Sequence, residues 1–167
     1  SSTCTKHANI SSTDTTIATS HTFTMPAEAT SGRFCFFAIT VPTSLSSGAG
    51  VATCTIGART LTPAASYIWA AGFTLHVYAF IADGSTASAT VTWSYTPGTA
   101  TRFTVAGGVY SGITNPTPVY SSQSSVTSSA SHVSPTISSC AIGTVEFSVA
   151  AGADSTTPYT GSSTLSA

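Results

Sequence analysis

Residues 51–116 read VATCTIGARTLTPAASYIWAAGFTLHVYAFIADGSTASATVTWSYTPGTATRFTVAGGVYSGITNP, and this stretch decides the fold. Apolar or alternating runs occupy 51–56, 73–82, 89–95 and 102–110. Each closes on a turn signal: Gly57-Ala58, Asp83-Gly84, Pro97-Gly98, and Gly112 with Asn115-Pro116. Short runs rich in Val, Ile, Thr, Tyr, Phe and Trp are strands, because β-branched and aromatic side chains fit a half-buried pleated surface. The short separations make neighbouring strands mostly antiparallel. Run 51–56 returns across two residues into 59–61, which predicts a hairpin. In 73–82 the face with Phe73, Leu75, Val77, Ala79 and Ile81 is expected in the core, with Thr74, His76, Tyr78 and Phe80 opposite. Val91, Trp93 and Tyr95 alternate with Thr90, Thr92 and Ser94, the pattern of a half-buried strand. Phe103, Val105, Gly107 and Val109 share a face, and Gly107-Gly108 predicts a bulge or a close approach of another backbone.

Working outward, 33–41 (RFCFFAITV) is apolar on both faces and reads as a central, doubly covered strand. Residues 17–25 form a first strand with Ile17, Thr19, His21, Phe23 and Met25 on one side. The segment 1–16 reads as irregular. The loop expected at 63–72 carries Tyr67, Ile68 and Trp69 together. Loops usually face solvent, so this tip either caps the sandwich or is presented to a partner; the three residues are the candidate partner contact. Residues 111–139 are rich in Ser, Thr and Pro. A late strand is expected at 141–150, with Val145, Phe147 and Val149 on one face, and a polar tail at 152–167. No stretch shows a helical period. The expectation is a single all-β domain over 1–167: a two-sheet antiparallel β-sandwich of about eight strands, jelly-roll or immunoglobulin-like, with little or no helix.

A chain of 167 residues is long enough to bury a core without metal support. Charged residues make up 5% of it, against roughly 25% in an average soluble protein. Ser and Thr number 61, from 29 and 32. A surface of hydroxyls with a net charge of −1 favours association; O-glycosylation and a plain neutral β-rich surface are the other two readings. With Lys and Arg numbering 4, an electrostatic nucleic-acid footprint is excluded. No run approaches the ~18–20 apolar residues of a membrane helix. The Ser1 start fits removal of a signal peptide, hence secretion, or removal of an initiator methionine, as in a virion component made inside its host.

Cys4, Cys35, Cys54 and Cys140 are even in number and lack a C-x-x-C spacing, against zinc and thioredoxin-like readings. Cys35 and Cys54, on adjacent predicted strands, are the first candidate disulfide. Cys4 with Cys140 would then tie down the N-terminus. The alternative is that Cys35 and Cys54 are small core hydrophobes of a reduced protein. Asn9-Ile10-Ser11 is a formal N-glycosylation sequon, making Asn9 a candidate site.

No G-x-S-x-G elbow occurs, and His7, His21, His76 and His132 lack metal-ligand spacing. His76 reads as a packed or hydrogen-bonded histidine. Asp14, Glu28, Asp83, Glu146 and Asp154 are widely separated; a glycosidase pair of Asp83 and Glu146 has nothing further to support it. The expectation is therefore no catalytic residue, cofactor or metal. Tyr67, Trp69, Tyr78 and Tyr110 are candidates for a sugar-stacking platform, whereas Trp93 and Tyr95 are expected in the core.

The series GRFCFFAITV, ATCTIGARTLTPAAS, FTLHVYAFIADGSTASATVTWS and ATRFTVAGGVYSGITNPTPV resembles a β-sandwich module of bacterial secreted surface proteins and phage virion proteins. The matching pieces are the hairpin at 56–62, the aromatic strand at 73–82, the strand at 84–93 and the ending at 105–116, within a likeness covering roughly 30–150. Ala58 stands where that module usually has a second Gly. The resemblance implies a non-enzymatic part of a surface, adhesive or virion structure, with no catalytic residues to carry over.

Together these features point to a structural or interaction protein, first of all a phage virion surface subunit, as capsid decoration or fibre. Its expected partners are other copies, as a trimer or lattice, and a major capsid protein or a surface glycan. The alternative is a secreted bacterial adhesion or carbohydrate-binding module, and an outsider is a filament subunit built by strand exchange.

Overall fold

The computed structural model describes residues 4–41, 51–69, 73–96, 101–114, 146–150 and 162–166. All regular structure among them is strand: β1 (Thr5–Ala18), β2 (Ser20–Thr24), β3 (Phe34–Val41), β4 (Val51–Ile56), β5 (Arg59–Leu61), β6 (Ala65–Trp69), β7 (Phe73–Ile81), β8 (Thr90–Thr96), β9 (Thr101–Ser111), β10 (Glu146–Ala150) and β11 (Ser162–Ser166). A five-stranded sheet has the order β1-β9-β3-β7-β6 and a four-stranded sheet the order β2-β8-β4-β5. β10 and β11 form a separate antiparallel pair. Every pairing is antiparallel.

The pairings follow one rule. Leaving aside β6 and the β10–β11 pair, the first strand pairs with the last (β1 with β9), the second with the second-last (β2 with β8), then β3 with β7 and β4 with β5. One long hairpin is thus rolled into two facing sheets, which is the jelly-roll arrangement. β6 is an extra edge strand added to β7.

β3 is buried along all of its length, as a doubly apolar strand should be. Cys35, Phe37, Ile39 and Val41 enter the core between the sheets, where they meet Phe23, Met25, Cys54, Ile56, Val91, Trp93, Phe103, Val105 and Val109. Trp93 lies at the centre, its ring 5.9 Å from Phe103 and 6.1 Å from His76. Phe34 and Phe36 point to the opposite face, where they form a second buried cluster with Tyr110, flanked by Cys4, Ala79, Ile81 and Ile113.

Several expectations need correction. The face assignment of β7 is inverted. His76, Tyr78 and Phe80 are buried towards the other sheet, while Ala79 and Ile81 flank the outer cluster. Both faces of β7 are apolar enough to bury, and a period of two cannot choose between them. Residues 5–18 are a strand rather than an irregular segment. β1 is polar because it is an edge strand with only Ile10 fully buried; pairing with β9, through two register irregularities, supplies what hydrophobicity does not. The expected strand at 17–25 is interrupted at Thr19, where the chain leaves one sheet for the other, so Ile17 is exposed while His21, Phe23 and Met25 are buried. Residues 65–69 are the edge strand β6, not loop. Within the expected tail, 162–166 is strand β11.

Two turn details follow from glycine chemistry. Gly57, first of the two hairpin residues, has φ +56°; a positive φ at this position only is the type II′ pattern, which leaves the next position open to Ala58. At Gly107 a Cβ would strike the β3 backbone at Phe36 and lie 2.6 Å from Phe37 Cα. The register between β3 and β9 is unbroken there, so Gly107 marks a close backbone approach rather than a bulge.

Candidate interaction surfaces

The outer face of the four-stranded sheet is built from alternation. In β2 (SHTFT), β4 (VATCTI), β5 (RTL) and β8 (TVTWSYT), inward, mostly apolar residues alternate with hydroxyl-bearing residues on the outer side. The described outward positions are Ser20, Thr22, Thr24, Thr53, Thr55, Thr60, Thr90, Thr92 and Ser94, all of them Ser or Thr and exposed or half-buried. They are in register across the sheet. Thr22, Thr92, Thr55 and Thr60 form one row, Ser20, Ser94 and Thr53 a second, and Thr24 with Thr90 a third. None is charged and none is aromatic. The opposite outer face of the molecule, on the five-stranded sheet, is buried and apolar around Phe34, Phe36 and Tyr110.

The candidate partner contact Tyr67, Ile68 and Trp69 lies in β6, at the edge of the five-stranded sheet, opposite Leu75, Thr74 and Phe73 of β7. Among the described residues no strand pairs with the other side of β6. Edge backbone of this kind offers free N–H and C=O groups to an added strand. The sugar-platform candidates Tyr78 and Tyr110 are both fully buried, one between the sheets and one in the outer cluster, so neither can stack on a ligand. The core placement of Trp93 and Tyr95 holds.

The candidate disulfide between Cys35 and Cys54 is not formed; both are buried free thiols. β3 and β4 follow one another in sequence but belong to opposite sheets, so they are not ladder neighbours. Burial pushes each thiol up to about 12, which keeps both protonated and unreactive. Cys4 is also a free thiol, half-buried beside the outer cluster; Cys140 lies outside the described residues. Asn9 is exposed, in mid-strand on β1 opposite Gly108.

Histidines occupy three unlike settings. At the corner between β1 and β2, His21 is buried and stacked on Phe103 at 4.9 Å. Its Nδ1 lies 2.9 Å from Asp14 Oδ2 and its Nε2 3.1 Å from the Ala18 carbonyl. The Nδ1 contact, with the Thr16 amide donating to Asp14, holds the Asp14 carboxyl down at about 2. His76 Nδ1 is 2.9 Å from Ser66 Oγ on β6, and burial lowers the pKa of its ring. His76 Nε2 is buried with no hydrogen-bond partner among the described residues. His7 Nε2 lies 2.8 Å from Ser111 Oγ.

Asp83 is spent on its own turn: Oδ1 accepts from the Ser85 amide and hydroxyl, and Oδ2 lies 3.5 Å from Arg59 Nη1. Arg59 in turn covers the Phe80 ring at 5.0 Å. Among the described residues no three His, Cys, Asp or Glu side chains could share a metal ion, and no helix is long and apolar enough to cross a membrane. Comparison with protein-family models, with curated proteins and with solved structures returns no match.

Proposed function

We propose that the chain is a non-enzymatic structural subunit displayed on the surface of a phage virion, as capsid decoration or fibre protein, where it assembles with further copies or onto the capsid lattice. The observation that carries the reading is the edge strand β6, which among the described residues has no strand on its outer side. Its five residues, Ala65–Trp69, are uncharged, and natural edge strands that avoid association are usually blunted by charge or proline. Strand addition at such an edge gives backbone hydrogen bonds without sequence-specific pockets. The buried, unbridged thiols Cys35 and Cys54 fit a chain made in a reducing compartment, as a virion subunit is inside its host. The scarcity of charge supports close packing of copies.

Native mass spectrometry over a range of concentrations tests this. The wild-type chain is expected as a discrete oligomer, and Tyr67→Lys, which places a charge on β6 on the face away from Ser66 and His76, is expected to shift it to monomer while circular dichroism still shows the folded sheet. A wild-type monomer at every concentration, or a folded Tyr67→Lys protein that assembles unchanged, refutes the edge as the contact. One observation favours the secreted adhesion module instead: Asn9 of the sequon is exposed. Added hexose mass on the native protein would support that reading over the virion.

A further inference from the structure

We infer that the threonine face of the four-stranded sheet binds ice. Its nine described positions form three rows across β2, β8, β4 and β5. Neighbouring strands lie about 4.8 Å apart and alternate residues repeat about every 6.8 Å along a strand. The backbone positions of the nine residues therefore lie on a near-rectangular grid of about those two lengths, facing pairs being alternately about 4.5 and 5.5 Å apart from one strand pair to the next, and both lengths are close to the oxygen repeats on a prism face of ice.

The side-chain chemistry fits the same occupant. Threonine is stiff at χ1, so its methyl and hydroxyl are placed before contact and little rotamer freedom is lost on binding. Each hydroxyl both donates and accepts, as every surface water of ice does. No described outward position is charged, so no ionic hydration shell has to be stripped, and the neutral face is complementary to a neutral lattice. A polysaccharide is the competing occupant, but such sites use aromatic platforms, and none of the nine positions is aromatic. Because each strand is rotated against the next by roughly 20–25°, only neighbouring strands present their hydroxyls near one plane, and the central pair β8–β4 presents Thr92, Thr55, Ser94 and Thr53. The inference does not rest on the virion reading: one copy carries the whole grid, and an array of copies would enlarge it.

The test is thermal hysteresis and ice-crystal shape on the full chain. The wild-type protein is expected to give a freezing gap and faceted crystals. Thr92→Tyr and Thr55→Tyr, which keep strand propensity but break the grid, are expected to lose most of the gap. Thr13→Tyr, on β1 and outside this sheet, is expected to keep it. Thr22→Tyr, on the edge strand β2, replaces either central variant where circular dichroism shows that it is not folded. Rounded crystals and no gap with the wild-type protein overturn the inference. A full gap with folded Thr92→Tyr does so too, as does retention on insoluble cellulose or chitin without a gap, which would make the face a polysaccharide site.

Discussion

Replacing Gly107 by alanine should destabilise this domain, against the usual preference. In a strand interior alanine is normally better than glycine by roughly 0.5–1 kcal/mol. Here the added methyl group would meet the Phe36 carbonyl, with its carbon 2.8 Å away, and Phe37 Cα at 2.6 Å. These are backbone atoms, so no rotamer change relieves the overlap, and β9 has to lift from β3 around the Phe37–Gly107 pair. Overpacking of this kind costs about 1–3 kcal/mol, and one or two ladder hydrogen bonds stretched by the shift cost about 1 kcal/mol each. The expected loss is about 2–5 kcal/mol. Urea unfolding followed by tryptophan fluorescence reads it, since Trp93 is 1% exposed in the folded core. With a slope of about 1–3 kcal/mol per molar urea, the midpoint should fall by at least about 0.7 M. Gly108→Ala is the comparison: the three atoms nearest its Cβ would all belong to the Tyr110 side chain, from 2.7 Å, rather than to backbone, so a smaller loss is expected. An unchanged or raised midpoint for Gly107→Ala refutes the close approach of β9 to β3.

Other outcomes follow from the interior and the corner. Cys35 and Cys54 are expected to ignore a thiol reagent until the protein is denatured, while Cys4 reacts sooner; peptide mapping of unreduced protein that finds Cys35 joined to Cys54 contradicts this. Because burial depresses the pKa of His76 below its ordinary 6.5, the unfolded chain takes up a proton first on acidification. Stability should therefore fall as pH drops below about 6.5, and His76→Phe should flatten that part of the pH–stability curve; equal slopes in both proteins would argue against a neutral buried ring. Asp14 acts in the same direction but at lower pH. Its carboxyl sits at about 2 rather than 3.8, so its contribution is complete above about pH 4 and lost as pH falls through about 2. Asp14→Asn should remove that loss, which is no more than about 1 kcal/mol because the carboxylate is 37% exposed; an acid limb identical to wild type counts against the His21 pairing.

The interior strands were legible because their side chains report their surroundings. Residues 33–41 could be placed at the centre of a sheet, and 89–95 on a half-buried strand, from apolar pattern alone. The 56–59 hairpin was legible from Gly57. The edges were not. β1 contributes one fully buried apolar side chain, Ile10, and its extended backbone is specified by the ladder to β9, a partner some hundred residues away with no local trace. β6 holds Tyr, Ile and Trp, yet Pro63 and Gly72 at its flanks resemble loop punctuation. Tyr67, Ile68 and Trp69 were legible as a candidate contact but as a loop tip rather than a sheet edge, and the threonine face was present only as residues. The TFT, TCT and TVTWS segments show alternation one strand at a time.

What the amino-acid order determined by itself was the all-β class, most of the strands, the absence of helical period and the neutral hydroxyl-rich exterior. Each of these depends on neighbours two to ten residues apart. Only the tertiary structure decided which of two apolar faces of β7 enters the core, that Cys35 and Cys54 fall on opposite sheets, and that hydroxyls from four separated strands come into register. Those choices depend on which strands meet after the long hairpin rolls up, and that is a matter of packing between distant segments, to which a period of two is indifferent.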